Sequence, residues 1–476
     1  MATADTNNVA TYFLVEDEWG TDLETIAAEK RGKMYGAGIS SSTLSMDKET
    51  VSSDVLSSDR MRDNDSVVGI SCSGDLGFQL SSYDWDIPLA HALASEASYI
   101  FSKTYTGTSV TTTKANNRFT ISSGGTVGLT VGAEVYISGL TAHAANVGRF
   151  KITAVTANSF TVSGNSLENE TSVAATNVIV RTDRVRPGDL VVASSTTITS
   201  TSLDFTSLGL EVGQWFTMGG LSDAENVGKR FRIASITANT ITINSGTLKT
   251  ASGQSSTGYL IAKRIKNGVK KTSILVQFHH TDVETFSTYS GLRTGGVKLN
   301  FEAKKVITGT FSYMGKKPGA STSSISPLLI PAEVTEPLTA SNNIGSIIEG
   351  GTVISTGIKT IDLDVNNYLR SKPSVGTQYP IDIGYGYCEC TGTLEAYFSD
   401  LRLLSKVLNH TETSIEYGST DAKGNMIQFS LLRVVLTSGS PSLGGGNQDS
   451  MLNINFKSLK HPDSGSVIII DSLNVE

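Results

Sequence analysis

Apolar residues recur at every second position along much of this chain. Leu76, Phe78 and Leu80 fall on one face of such a run. Val297, Leu299 and Phe301 do the same, with Lys298, Asn300 and Glu302 between them. Ile361, Leu363 and Val365 alternate with Asp362 and Asp364, and Leu452, Ile454 and Phe456 with Asn453 and Asn455. Neighbouring side chains of a strand point to opposite faces, so a period of two marks strands with one dry and one wet face. Many such strands predict an all-β fold, a two-sheet sandwich or barrel. Two stretches break the pattern and predict short helices. Residues 85–97 offer Asp84 or Asp86 as N-cap, with Pro88 tolerated in the first turn. Residues 399–408 open on Ser399 as N-cap and carry Leu401, Leu404 and Leu408 as an apolar stripe.

A duplication divides the chain. Residues 131–164 and 212–246 share a frame: Val-Gly, Gly-Leu, Asn-Val-Gly, Arg-Phe-x-Ile, then Thr-Ala-Asn. Asn146, Val147 and Gly148 match Asn226, Val227 and Gly228. Thr156, Ala157 and Asn158 match Thr237, Ala238 and Asn239. Phe150 and Ile152 alternate with polar neighbours, as do Phe231 and Ile233. Thr-Ala-Asn between two β-rich runs predicts a hairpin in each copy. Each copy is expected to be a small β module, and two are too few for a solenoid. The expected organisation is one discontinuous domain, residues 1–102 and 263–476, interrupted by modules at 103–183 and 184–262. Insertion into a surface loop suits this arrangement. The block is expected to be external, so that deleting 103–262 leaves the main domain's assembly intact.

Residues 1–35 stand apart. Tyr12, Phe13 and Trp19 cluster around an acidic run, Glu16 to Glu18. They read either as a strand on their own domain or as an inter-subunit arm adding to a neighbour's sheet edge.

Charge sharpens the division. The chain of 476 residues has net charge −7, with 17% charged residues. That share is below the ~25% usual in soluble domains. Residues 103–262 hold 12 Lys and Arg against 9 Asp and Glu, and the flanks hold 26 against 36. Acidic flanks argue against sequence-specific reading of duplex DNA, which needs basic stripes. No signal peptide opens the chain and no apolar run nears the ~20 residues of a membrane span. Synthesis in the cytoplasm without a membrane partner is expected.

Catalytic and metal chemistry finds little footing. The three cysteines, Cys72, Cys388 and Cys390, form no disulfide framework. Cys388 and Cys390 share one strand face and read as small core residues. A Cys-x-Cys without a second pair is not a zinc knuckle. His279 and His280 lie on opposite strand faces and cannot chelate one ion. Residues 309–317 lack the spacing and the Gly-Lys-Ser/Thr end of a phosphate loop. No Gly-x-Ser-x-Gly elbow occurs. No enzyme, cofactor or metal is expected.

The flanks resemble a known family. The features are a polar strand leading to Ser58, Asp59 and Arg60, the run Gly74-Asp75-Leu76-Gly77-Phe78, and the step Tyr83-Asp84 into a helix. Residues 291–318 add a strand pair with Gly309-Thr310-Phe311 and Met314-Gly315, and the helix at 399–408 follows. In order and spacing these are similar to the major tail tube proteins of long, non-contractile bacteriophage tails. The resemblance covers the flanks and not the tandem modules. It implies a tail-tube-type β-sandwich or barrel, and subunits joined in rings of six around a pore. The rings stack through the amino-terminal arm and a long loop, and DNA passes through without sequence-specific contact. It implies a virion tail location and, besides other copies of the chain, tape measure, terminator and distal tail or baseplate partners. Asp362 and Asp364 become candidate lumen-facing carboxylates, with a solvated outer face as the alternative. Before docking, the N-terminus and a loop near 315–350 are expected to be mobile. Another virion component, such as a decoration or baseplate protein, and a carbohydrate-binding adhesin stay open as alternatives.

Overall fold

The computed structural model describes residues 5, 8–52, 65–82, 84–163, 167–173, 177–250, 255–332, 336–340, 347–354, 357–399, 401–442 and 449–475. Ser58, Asp59, Arg60, Tyr83 and parts of the 315–350 loop lie outside the described residues.

The fold is all-β with two short helices. One antiparallel path runs through strands Ser45–Ser52, Asp65–Gln79, Thr308–Gly315, Thr285–Glu302, Ile358–Asn366, Glu389–Tyr397, Met451–Ser458 and Met426–Ser442. The alternation in the sequence maps onto its two faces. Val297, Leu299, Phe301, Ile361, Leu363, Val365, Leu452, Ile454 and Phe456 all point into the main core. Phe78 anchors that core by stacking on Phe311 at 4.4 Å and leaning on Trp85 at the same distance. The indole of Trp85 donates to the Gln79 carbonyl at 2.9 Å, so the buried ring leaves no polar atom unpaired.

A second layer shares the longest strand. The first half of Thr285–Glu302 pairs with Ser273–His280 and Lys317–Ser321. The N-terminal strand Val9–Glu16 adds to Ser273–His280 along its whole length, from Val9 opposite His280 to Glu16 opposite Ser273. The C-terminal strand Ile469–Leu473 lies between Lys263–Lys266 and Met426–Ser442. In the 315–350 stretch the described residues include the strands Lys317–Ser321, Leu329–Ile330 and Ile348–Glu349.

The helices are shorter than the sequence predicts and capped differently. The first is Asp86–Ala92, and Trp85, not Asp84 or Asp86, occupies the cap without a side-chain bond. The Asp86 carboxylate is held elsewhere, by Lys263 at 2.7 Å and by the Ser472 hydroxyl at 3.2 Å. The helix ends where Ala94 takes a left-handed backbone, φ 48°. The second is Arg402–Leu408, capped by Leu401 rather than Ser399. Its buried residue is Leu403, and Leu404 is partly buried on the same core while Leu401 and Leu408 are exposed, so only the middle of the expected stripe meets the sheet.

Two further sheets interrupt this domain. Strands from Phe101–Thr106 to Asn177–Thr182 form one, and strands from Arg184–Val185 to Tyr259–Ile261 the other. Each encloses its own apolar core. The shared frame has a common structural meaning. Each Thr-Ala-Asn turn closes a hairpin, Gly148–Thr156 with Ser159–Ser163 and Arg230–Ile236 with Thr240–Ser245. Asn146 and Asn226 are fully buried. Asn146 accepts from the Glu168 amide at 2.9 Å, and Asn226 bonds both the amide and the carbonyl of Lys249 at 2.8 and 2.7 Å. The glycine that follows each motif has positive φ, 102° at Gly148 and 69° at Gly228, which a side chain disfavours.

Candidate functional site

One face of the long sheet path packs on the core, and the other is polar. Lys298, Asn300, Asp362, Asp364, Thr393 and Asn455 project from adjacent strands into an open groove of about 580 Å³. Period-two alternation puts them there, because their neighbours are the buried residues of the core. The carboxylates on this side are mostly matched. Asp364 lies 3.6 Å from Lys298, Glu395 3.1 Å from Lys359, and Glu302 2.8 Å from Lys305. Lys457 pairs with Glu389. Asp362 is held by neutral donors, Asn300 Nδ2 at 2.6 Å and Thr393 Oγ1 at 2.9 Å. The face is thus a mosaic of pairs and amides rather than a uniform acidic wall. Half-exposed pairs of this kind contribute ~0–1 kcal/mol each.

The aromatic residues of the N-terminal segment sit on their own chain. Phe13 is buried in the main core. Tyr12 is half-buried, packed on a satellite cluster of Leu14, Leu23, Met34 and Leu275. Trp19 donates from its indole to the Gly291 carbonyl at 2.8 Å, with Arg293 and Lys316 over its ring. Glu16 accepts from the Ser273 hydroxyl at 2.7 Å and the Gly291 amide at 2.8 Å.

Sequence reasoning missed a group of buried charges where the inserted sheets meet the main domain. Lys263 Nζ lies 2.7 Å from Asp86 and 3.0 Å from Glu134. All three side chains are at most 5% exposed, so the charges depend on one another. Burial pulls the Lys263 ammonium down, but Asp86 and Glu134 outweigh it and hold it well above its usual range. Burial, with the Glu134 charge, pushes the Asp183 carboxyl up to about 7. Next to Lys263 on the main-domain strand Lys263–Lys266, Arg264 grips both oxygens of fully buried Asp471 at 2.6 and 2.7 Å. Polar residues alternating with apolar ones look like a solvated strand face, so no local signal marks these positions.

Among the described residues, no cluster of three or more His, Cys, Asp or Glu could hold a metal ion. Cys72, Cys388 and Cys390 are free thiols, with Cys72 and Cys390 buried and Cys388 half-buried. No helix among the described residues is long and apolar enough to cross a membrane.

Comparison with protein families gives one match. Residues 235–458 fit the family described as phage tail tube protein. Over that segment, just under half of its length, the chain is similar to phage tail tube proteins. The matched segment begins in the last hairpin of the second inserted sheet and contains most strands of the polar-faced path. The match supports reading the chain as a structural tail protein. No curated protein matches the chain.

Proposed function

We propose that copies of this chain join edge to edge into rings of six, that the rings stack into the tube of a long, non-contractile tail, and that DNA passes through the lumen. The observation that carries this reading is the two-faced sheet. One face is sealed on a continuous apolar core, and the other is polar, open and concave enough to hold a groove. A wall lining a channel has this construction. The path also has two open edges for lateral joining. Ser45–Ser52 lies at one, and at the other residues 438–442 pair only with Met451–Ser458 among the described residues.

Asp362 and Asp364 then face the lumen, beside Lys298 and Asn300. Alternating paired charges offer no continuous basic track, so phosphates would find nowhere to accumulate. Tyr12, Phe13 and Trp19 serve as an inter-subunit arm only if Val9–Glu16 leaves its own sheet and re-pairs on a neighbour. Tape measure, terminator and distal tail proteins are the expected partners along and at the ends of the tube.

The test is electron microscopy of the purified, concentrated protein in negative stain. Rings or hollow tubes are expected. Persistent monomers with affinity for surface polysaccharide would overturn the proposal in favour of an adhesin.

A further inference from the structure

The two inserted sheets meet the main domain through equivalent positions of their shared frame. Glu134 and Trp215 each stand two residues after the Gly of Val-Gly. Arg149 and Arg230 each precede the Phe of Phe-x-Ile. In both copies these residues face the main domain, yet they hold different parts of it.

The first copy holds the N-terminal segment. The Arg149 amide donates to the Tyr35 hydroxyl at 2.9 Å. The Lys33 amine lies 3.4 Å over the Phe150 ring. A Cβ at Gly148 would stand 2.4 Å from the Tyr35 hydroxyl, so the approach needs glycine there. Tyr35 in turn pairs with Phe13 of the N-terminal strand.

The second copy holds the C-terminal strand. The Trp215 amide donates to Asp471 at 3.2 Å, and its side chain packs with Met426 and Leu473. Arg230 and Arg232 lie over the Trp215 ring. Arg230 also donates to Gln428 at 3.0 Å, the residue paired with Asp471 across the sheet. From the first strand of the second inserted sheet, Arg184–Val185, Arg184 donates to the Asn474 carbonyl at 3.0 Å.

We infer that the duplicated block is an intramolecular clamp on both chain ends, the first copy closing on the N-terminal segment and the second on the C-terminal strand. Terminal strands fray first and are the elements most easily exchanged between copies. The clamp keeps both on their own chain while the subunit is free. It does not depend on the ring proposal, because every contact lies within one chain. It also reverses the expectation for deletion: removing residues 103–262 should loosen both ends rather than trim an ornament.

Hydrogen exchange by mass spectrometry on the unassembled full chain tests this. Trp215 lies outside the core of its own sheet, so Trp215→Ala should leave that sheet folded, with Phe231 and Ile233 still protected. Exchange in Ile469–Leu473 should rise by on the order of tenfold, with Val9–Glu16 unchanged. Lys33→Glu, which sets a carboxylate against the Phe150 ring, should free Met34–Gly36 and Val9–Glu16 and spare the C-terminal strand. Arg230→Ala, a milder change, should act on Ile469–Leu473 alone and more weakly. Wild-type protection of both ends in all three variants would overturn the clamp. So would loss spread evenly over both ends and the inserted cores.

Discussion

Replacing Lys263 with Met isolates the electrostatic part of the first seam. Met nearly matches the volume of the lysine stem, and the backbone pairings of Lys263 with Ser472 and Tyr99 do not involve the side chain. What disappears is the ammonium 2.7 Å from Asp86 and 3.0 Å from Glu134. Two carboxylates at most 3% exposed then lose their shared counter-ion. The Ser472 and Tyr99 hydroxyls remain as donors, at 3.2 Å each. Breaking a buried pair from one side costs about 3–5 kcal/mol, a large part of the ~5–15 kcal/mol that holds a domain folded. At ~2–4 °C per kcal/mol, the transition that includes this seam should fall by roughly 6–20 °C in calorimetry. The loss should depend on pH in a defined direction. Burial raises the Asp86 carboxyl above its ordinary value, as it does Asp183. A carboxyl with raised pKa binds more protons folded than unfolded, so its cost grows as pH climbs from its unfolded to its folded value. Without the ammonium that rise is larger, so the Met variant should lose more at pH 8 than at pH 5. Adding Asp86→Asn and Glu134→Gln should recover much of the loss. A single variant within ~1 kcal/mol of wild type at pH 8, or one hurt more at pH 5, would refute the reasoning.

Burial lowers the Lys33 amine to about 6, so between pH 6 and its ordinary 10.5 the unfolded chain binds more protons. Wild-type stability should therefore rise across that window, and Lys33→Met should flatten the rise and add stability at pH 7 in urea titrations. Asn226→Ala removes the two bonds to Lys249 and should cost about 1–3 kcal/mol, read as faster exchange confined to the second inserted sheet. Trp19→Ala should lower the urea midpoint by the equivalent of about 1–3 kcal/mol, through loss of the Gly291 bond and the packed ring. Asp362→Asn keeps the contacts to Asn300 and Thr393 within reach and should leave stability within ~0.5 kcal/mol, with tubes of unchanged diameter in micrographs.

Much of the fold can be read from period-two alternation, because one covered face imposes it residue by residue. Val297 to Phe301 and Ile361 to Val365 point inward for that reason. The duplicated frame is legible because its Asn and Gly perform local turn chemistry in both copies. The helices were harder to place. A cap competes with every other partner in reach, and Asp86 is held by Lys263 and Ser472, far away in sequence. The polar sheet face was legible as a row of residues, but not as a mosaic of pairs. Which lysine meets which carboxylate depends on strand neighbours such as Ile358–Asn366 and Glu389–Tyr397, set by the topology.

The sequence by itself determined the all-β class, the repeated unit and the two-faced strands, since each follows from interactions a few residues apart. Only the tertiary structure decided that Lys263 meets Asp86 and Glu134, that Trp215 lies against Leu473, and that Tyr35 is held beside Gly148. Each of those contacts joins segments more than 100 residues apart. A charged or aromatic residue at an alternating position carries no local mark to distinguish a buried seam from a wetted surface.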